Sequence, residues 1–174
     1  MTTAEKIFGA FRDPALAGAV AERISRMRPA RPLTLMHVCG THEHAIARAG
    51  IRSLLPEGVR LVAGPGCPVC VCPAGDIDLA LQAAGRKDVI LATFGDMFRV
   101  PSRETSLENL RAEGRDVRIV YSPLDVVRIA VAHPDRQVVF MAVGFETTAG
   151  PIAASLLEPM PSNLTLITSL RLIP

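Results

Sequence analysis

The 174-residue sequence contains no tryptophan and one tyrosine, and aromatic residues make up 4% of it. An interior without large rings has to be built from small aliphatic side chains, and the sequence is rich in these, with 49% hydrophobic residues. Such interiors are common where helices pack on a parallel β-sheet. The composition therefore favours an α/β fold, and the length suits one domain.

Long apolar runs and a large excess of charge are also missing. No stretch reaches the roughly 18 apolar residues that a membrane helix needs, and charges interrupt the apolar residues of the N-terminal stretch 1–20. Nineteen basic against seventeen acidic side chains give a net charge of +2, with the arginines scattered along the chain. We therefore expect no signal peptide, no membrane partner and no nucleic-acid partner.

The four cysteines are too few and the chain is too long for a disulfide-stapled mini-protein. A reducing compartment fits this composition, so we expect a cytoplasmic protein. In that setting the cysteines are interpreted as reactive thiolates for metal or redox chemistry. A zinc ribbon is not predicted, because the pair formed by Cys67 and Cys70 is followed by no second pair of the same spacing.

Short aliphatic runs alternate with helical stretches after an opening amphipathic helix over 15–27. Strands are predicted over 33–38, 59–63, 89–93, 117–121, 138–143 and 164–168. Helices are predicted over 41–49, 76–84, 106–113, 124–132 and 147–157, with Thr41, Ser106 and Ser122 as candidate caps. Each strand is apolar on both faces, as in a buried parallel sheet. The order predicts one α/β unit over residues 1–174, with a doubly wound, mostly parallel sheet of about six strands and helices on both faces.

Polar residues follow the predicted strands at the point where each strand ends. The residues concerned are Cys39, His42, Glu43 and His44 after the first strand, Cys67, Cys70 and Cys72 after the second, Asp96 after the third and Glu146 after the fifth. Since the carboxyl ends of parallel strands meet at one edge of a sheet, where such folds bind ligands, we expect these side chains to converge there.

The loop after the first strand allows two interpretations. Cys39 directly precedes a predicted helix, whose dipole and unpaired amides favour an anionic thiolate, so it suits a nucleophile or a soft-metal ligand. The alternative is a small cysteine packed at the end of a strand. His42 and His44 either assist this thiol or lie on the surface. Glu43 is either an acid of the first helical turn or a partner that orients an imidazole or a ligand.

The two-residue gap between Cys67 and Cys70 is typical of both redox pairs and metal-binding knuckles. The neighbouring prolines stiffen this loop. A closed zinc site here would have to borrow Cys39, Cys72 or a histidine.

Two carboxylates and two histidines complete the polar residues near the strands. Asp96 and Glu146 either cap helices or bind and orient a ligand at the edge of the sheet. His37, in the first strand, and His133, before Pro134, are interpreted as structural or surface residues.

Four motifs resemble those of the hydrogenase maturation factor HypD family, and they occur in the family's order. They are HVCGTHE from His37, GPGCPVC from Gly64, TFGDMFRVP from Thr93 and GFETT from Gly144. The stretches GIRSLLP from Gly50 and YSPLD from Tyr121 are similar to the family as well.

The resemblance implies a scaffold on which the iron of nickel-iron hydrogenases acquires cyanide and carbon monoxide to become Fe(CN)2CO. Cys39 would hold the iron together with a cysteine of the chaperone HypC, and HypE would dock as the cyanide donor. Cys67 and Cys70 would form a redox-active pair beside it, with His42 and Glu43 as neighbours. Thiolates are soft ligands that suit such iron, and a dithiol can hold two electrons. A thiol-disulfide oxidoreductase and a zinc-binding interaction module remain the alternatives.

The sequence departs from the family in two respects. Family members are longer and carry a four-iron four-sulfur cluster on C-terminal cysteines that this chain lacks, so the resemblance covers the family's N-terminal part. In addition, Cys72 stands where relatives more often have another residue, and the last predicted strand ends in Thr168-Ser169-Leu170-Arg171, where a histidine is expected.

Overall fold

The computed structural model describes residue 9 and residues 13–27, 29–157 and 159–173. It confirms an α/β chain in which the six predicted strands pair in parallel. These strands form two sheets, one of two strands and one of four, so the expectation of one continuous sheet is corrected. The chain divides into two compact units, Met1–Cys67 and Pro68–Pro174.

The first unit contains a two-stranded sheet. Its elements are α1 (Pro14–Ser25), β1 (Leu33–His37), α2 (Gly40–Arg48), α3 (Ile51–Leu54) and β2 (Val59–Ala63). Asp13 caps α1 by accepting a hydrogen bond from the amide of Ala15 (2.8 Å). No described residue of this unit is buried, although both strands have the sequence of buried strands.

The second unit contains a four-stranded sheet with helices on both faces. Its elements are α4 (Ala74–Ala84), β3 (Val89–Phe94), α5 (Gly95–Phe98), α6 (Leu107–Ala112), β4 (Val117–Val120), α7 (Pro123–Ala132), β5 (Gln137–Gly144), α8 (Glu146–Ser155) and β6 (Leu164–Leu170). The strand order is β4-β3-β5-β6. The order reverses at β3, so the carboxyl ends of β3 and β5 flank the switch point where such sheets bind ligands.

Alternate residues of the central strand β3 enter two separate hydrophobic clusters. Ile90 and Ala92 pack with apolar residues of α7 and α8 on one face, whereas Leu91 packs with apolar residues of α4, α5 and α6 on the other. Both faces of this sheet are therefore covered, as the doubly wound pattern requires.

The predicted caps have mixed outcomes. Ser106 and Ser122 accept hydrogen bonds from the amides of Asn109 and Leu124, both at 3.2 Å, and so cap α6 and α7. Thr41 was the wrong choice for α2, because Cys39 occupies the N-cap position. The short helices α3 and α5 were not predicted.

The structure describes only part of the N-terminal stretch 1–20. Within the described residues, no helix combines the length and hydropathy needed to cross a bilayer. Residues 1–8 and 10–12, in which no signal peptide was predicted, lie outside the described residues.

Candidate functional site

The loops that carry Cys39 and Cys67 leave adjacent strand ends in the first unit. His37 pairs with Ala63 at the end of the β1–β2 ladder, and the amide of Gly64 extends it by donating to the carbonyl of His37 (2.7 Å). A Cβ at Gly64 would lie 3.0 Å from this carbonyl oxygen, so glycine permits the close crossing. Both cysteines therefore follow the same carboxyl edge, as the parallel pairing predicts.

Cys39 is the residue from which α2 begins. It has extended backbone angles (φ −138°, ψ 129°), and its carbonyl oxygen accepts the first helical hydrogen bond from the amide of Glu43 (3.0 Å). The Cys39 side chain is partly exposed. This is the position at which the helix dipole favours negative charge. His42 and His44 are exposed on α2.

One carboxylate joins four elements of the first unit. Glu43 accepts two hydrogen bonds from Arg52, from Nη1 to Oε1 (2.8 Å) and from Nη2 to Oε2 (2.7 Å), and Oε2 also lies 2.6 Å from His37 Nε2. Arg52 Nε donates to the carbonyl of Leu61 (3.1 Å). We call these groups the Glu43 network. They connect β1, α2, α3 and β2 through a bidentate, charge-assisted pair.

The network keeps Glu43 ionised. Hydrogen bonds from Arg52, followed by that from His37, lower the pKa of Glu43 from its ordinary 4.5 to about 2. An ionised carboxylate only accepts hydrogen bonds, so the proton in the short contact is assigned to His37 Nε2. Nδ1 of His37 is buried without a hydrogen-bond partner among the described residues. Glu43 thus orients an imidazole, which was one of the two roles expected for it, and this imidazole belongs to His37.

Two members of the Glu43 network were missed by sequence reasoning. His37 was interpreted as structural or surface, and Arg52 was not singled out. The position of His37 at the carboxyl end of a strand was a usable signal, whereas Arg52 lies on a different helix from Glu43 and gave none. His133, the other histidine set aside, lies at the end of α7 with Nδ1 2.9 Å from the carbonyl of Ile129.

Cys70 and Cys72 have different environments in the second unit. Both belong to a turn in which the amide of Cys72 donates to the carbonyl of Val69 (3.3 Å). Cys70 is exposed, whereas Cys72 is partly buried with its Sγ 3.3 Å from the hydroxyl oxygen of Ser169 on β6. Cys72 is therefore in contact with the end of the last strand, the other place at which the sequence differs locally from the family pattern. This contact gives Cys72 a packing role.

Asp96 and Glu146 lie at the switch point of the four-stranded sheet. Asp96 is exposed in α5 after β3, and Glu146 is the exposed first residue of α8 after β5. Glu146 Oε1 accepts a hydrogen bond from the amide of Ile173 (2.7 Å), and the amide of Arg171 donates to the carbonyl of Gly144 (2.9 Å). The backbone that follows β6 is thus held against the end of β5.

A metal ion in a protein is usually held by several His, Cys, Asp or Glu side chains that converge on one point. Within the described ranges, no three or more His, Cys, Asp or Glu side chains are arranged to hold a metal ion.

Removing the guanidinium of Arg52 should change the titration of Glu43. In Arg52→Met the strongest cause of the lowered pKa is lost while His37 still donates, so the pKa of Glu43 should rise from about 2 towards 4.5. Carbon-detected NMR titration of the Glu43 carboxyl measures this shift. Arg48→Met, on the same helix as Glu43, is the control and should leave the midpoint unchanged. Identical midpoints in Arg52→Met and the unmodified protein would contradict the network.

Comparison with known proteins gives consistent matches. The profile described as "HypD: Hydrogenase formation hypA family" matches residues 15–174. Hydrogenase maturation factor HypD of Azotobacter vinelandii is 54% identical over 145 residues, which cover 82% of this chain and 38% of that protein. HypD2 of Bradyrhizobium diazoefficiens is 50% identical over the same shares of both chains, and HypD of Escherichia coli is 46% identical over 81% of this chain and 40% of that protein.

These relatives are much longer than the present sequence, which spans about two fifths of their length. The family profile matches residues 15–174, which include all four motifs and most of both units of the structure. The chain belongs to the HypD family.

Proposed function

We propose that this chain acts in hydrogenase maturation, as part of a scaffold on which iron acquires cyanide and carbon monoxide to become the Fe(CN)2CO group of nickel-iron hydrogenases. The observation that carries the proposal is the position of Cys39 at the N-cap of α2, at the carboxyl edge of the β1–β2 sheet, in a chain of the HypD family. The relatives named above are themselves called hydrogenase maturation factors.

In this proposal the iron is cargo and Cys39 supplies one thiolate ligand. A soft thiolate suits iron that carries cyanide and carbon monoxide, and the second protein ligand comes from a cysteine of HypC. The Glu43 network supports the ligand by fixing the first turn of α2 against β1 and β2.

Cys67 and Cys70 form the redox pair of the proposal. Oxidation of the two thiols to a disulfide releases two electrons and two protons, and reduction takes them up again. Cys70 is exposed, which suits exchange with a partner protein. HypE would dock to deliver cyanide, with His42, Asp96 and Glu146 as exposed polar groups for binding ligands or partners.

The test is anaerobic co-purification with HypC, followed by infrared spectroscopy of the cyanide and carbon monoxide stretching bands. The unmodified chain should show the bands, and Cys39→Ala should lose them because the iron has lost its thiolate. Cys72→Ser is the matched control, because Cys72 contacts Ser169 and should be dispensable for iron.

Two results would count against the proposal. Bands of equal intensity in Cys39→Ala would show that the iron is held elsewhere. Absence of bands from every variant, with circular dichroism showing folded protein, would show that these 174 residues do not act as the scaffold.

The exposure of Cys70 favours one further candidate, a thiol-disulfide oxidoreductase. This function needs Cys67 and Cys70 but not Cys39, so Cys39→Ala would retain full turnover of a dithiol substrate. The same variant therefore separates the two functions.

A further inference from the structure

The strand β4 lies at one edge of the four-stranded sheet. Within the part of the chain that the structure describes, it pairs only with β3, in parallel. Val117 and Val120, at the two ends of β4, are each 3% exposed, so the strand is firmly packed into the second unit. The outer edge of an edge strand presents amides and carbonyls that can pair with a further strand.

A depression of about 510 Å³ follows this edge. Arg111 of α6 lines it, and α6 packs on one face of the sheet. Arg118 of β4 lines it too, and its Nη2 lies 3.3 Å from Nε2 of His133, at the end of the helix α7 that packs on the other face. Residues from both faces therefore border the depression, which places it along the edge of the sheet.

The only carboxylate that lines the depression is already paired with arginine. Asp116 accepts hydrogen bonds from Nε (2.8 Å) and Nη2 (2.9 Å) of Arg118 and from Nη1 of Arg136 (2.6 Å). Hydrogen bonds from Arg118, followed by that from Arg136, lower the pKa of Asp116. Two guanidinium groups thus compensate one ionised carboxylate, and Asp116 leaves no negative charge for the other arginines of the depression.

Arg111, Arg115 and Tyr121 complete the polar lining of the depression. The guanidinium of Arg111 lies over the ring of Phe98, 5.7 Å from its centroid. Neither Arg111 nor Arg115 forms an ion pair with another described residue. Tyr121, which follows β4, is 90% exposed. Arginine and tyrosine are the residue types in which protein interfaces are enriched, so this surface has the composition of a binding site.

We propose that this edge of the sheet binds an extended acidic segment of a partner protein. The segment adds to β4 as a further strand through main-chain hydrogen bonds, and its carboxylates pair with Arg111 and Arg115. Nucleic acid fits less well, because the chain has a net charge of only +2 and its other arginines are scattered. The proposal is separate from the proposed function, since it involves neither Cys39 nor iron.

Charge on an open edge also has a protective role. Charged side chains discourage edge strands from pairing with other copies of the same chain. This role alone predicts that an acidic peptide does not bind, whereas the proposal predicts that it does. A direct binding measurement therefore separates the two.

The test is titration of the 174-residue chain with a hexapeptide of alternating glutamate and valine, followed by tyrosine fluorescence. The chain has one tyrosine and no tryptophan, so the signal reports only the surroundings of Tyr121. A peptide of alternating glutamine and valine is the control for charge, and hydrogen exchange of the β4 amides reports strand pairing. Arg111→Gln and Arg115→Gln each remove one charge from the depression. Arg103→Gln is the matched control, because Arg103 is exposed and lines a different depression beside α4.

The glutamate peptide should bind and slow hydrogen exchange in β4, and the glutamine peptide should bind at least about tenfold more weakly, because charge-assisted hydrogen bonds are the stronger ones. Arg111→Gln and Arg115→Gln should each weaken binding of the glutamate peptide about fivefold, and Arg103→Gln less than about twofold. Unchanged exchange in β3 and β5 shows that the variants are folded.

Five results would overturn the proposal. They are absence of binding, equal binding of the two peptides, equal binding by Arg115→Gln and Arg103→Gln, unchanged exchange in β4 when the peptide binds, and tighter binding of an oligothymidylate than of the glutamate peptide.

Discussion

Replacement of Gly144 by alanine is expected to destabilise the second unit severely. Gly144 ends β5, and a Cβ at this position would lie 2.3 Å from Cβ of Thr148 and 2.5 Å from its Oγ1. Rotation of the Thr148 side chain does not move its Cβ, so the backbone of β5 or α8 would have to move. Overpacking typically costs about 1–3 kcal/mol, and we expect a loss of about 3 kcal/mol here.

Denaturant unfolding of the purified chain measures this loss. Gly75→Ala is the matched control, because a Cβ at Gly75 of α4 meets nothing within 4 Å. This change should not destabilise the protein, since glycine is unfavourable inside a helix. Thr148→Gly should partly rescue Gly144→Ala by removing the opposing Cβ. Equal stability of Gly144→Ala and the unmodified protein would disprove the close approach.

Replacement of Asn163 by aspartate should have a comparable effect through hydrogen bonding. The Nδ2 group of Asn163 shares its two hydrogens among three carbonyl oxygens, those of Ala130 (3.1 Å), His133 (2.9 Å) and Arg136 (2.8 Å), and the residue is 8% exposed. Aspartate has nearly the same shape, but its ionised carboxylate only accepts hydrogen bonds. One of its oxygens would therefore face three carbonyl oxygens that also only accept. Leaving buried polar groups unpaired costs about 1–3 kcal/mol each, so we expect a loss of at least about 3 kcal/mol at neutral pH.

Asn109→Asp is the control, because Asn109 is the other asparagine of the chain and is exposed. It should change the free energy of unfolding by no more than about 0.5 kcal/mol. The penalty of Asn163→Asp should shrink as the pH falls, since a protonated carboxyl can donate one hydrogen bond. In linkage terms the pKa of the new acid is raised by folding, so stability is lost as the pH rises through it. Equal stability of the two variants at neutral pH would contradict this account.

The sequence predicted the identity and order of most elements because these depend on local periodicity. The predicted bounds of β2 agree with the structure, and Ser122 forms the expected cap, with its amide bonded to Asp125 Oδ2 at 3.1 Å. The expectation that all the polar loops converge at one edge of a single sheet is corrected, because they leave the carboxyl ends of strands in two separate sheets. Periodicity could not reveal the split into two sheets. The split depends on which strands pair, and paired strands can be far apart in the sequence. For example, β3 pairs with β5 although β4 lies between them in the chain.

The family, the strand-helix alternation and the place of Cys39 before α2 were all specified by the linear order of residues, since each depends on neighbours in sequence. The partners of Glu43 were decided only by tertiary structure, because His37 and Arg52 lie on different elements and meet it only when β1 and α3 pack beside α2. The same holds for the exposure of β1. Its apolar sequence matches that of a buried strand, and burial depends on what packs against a strand rather than on the strand itself.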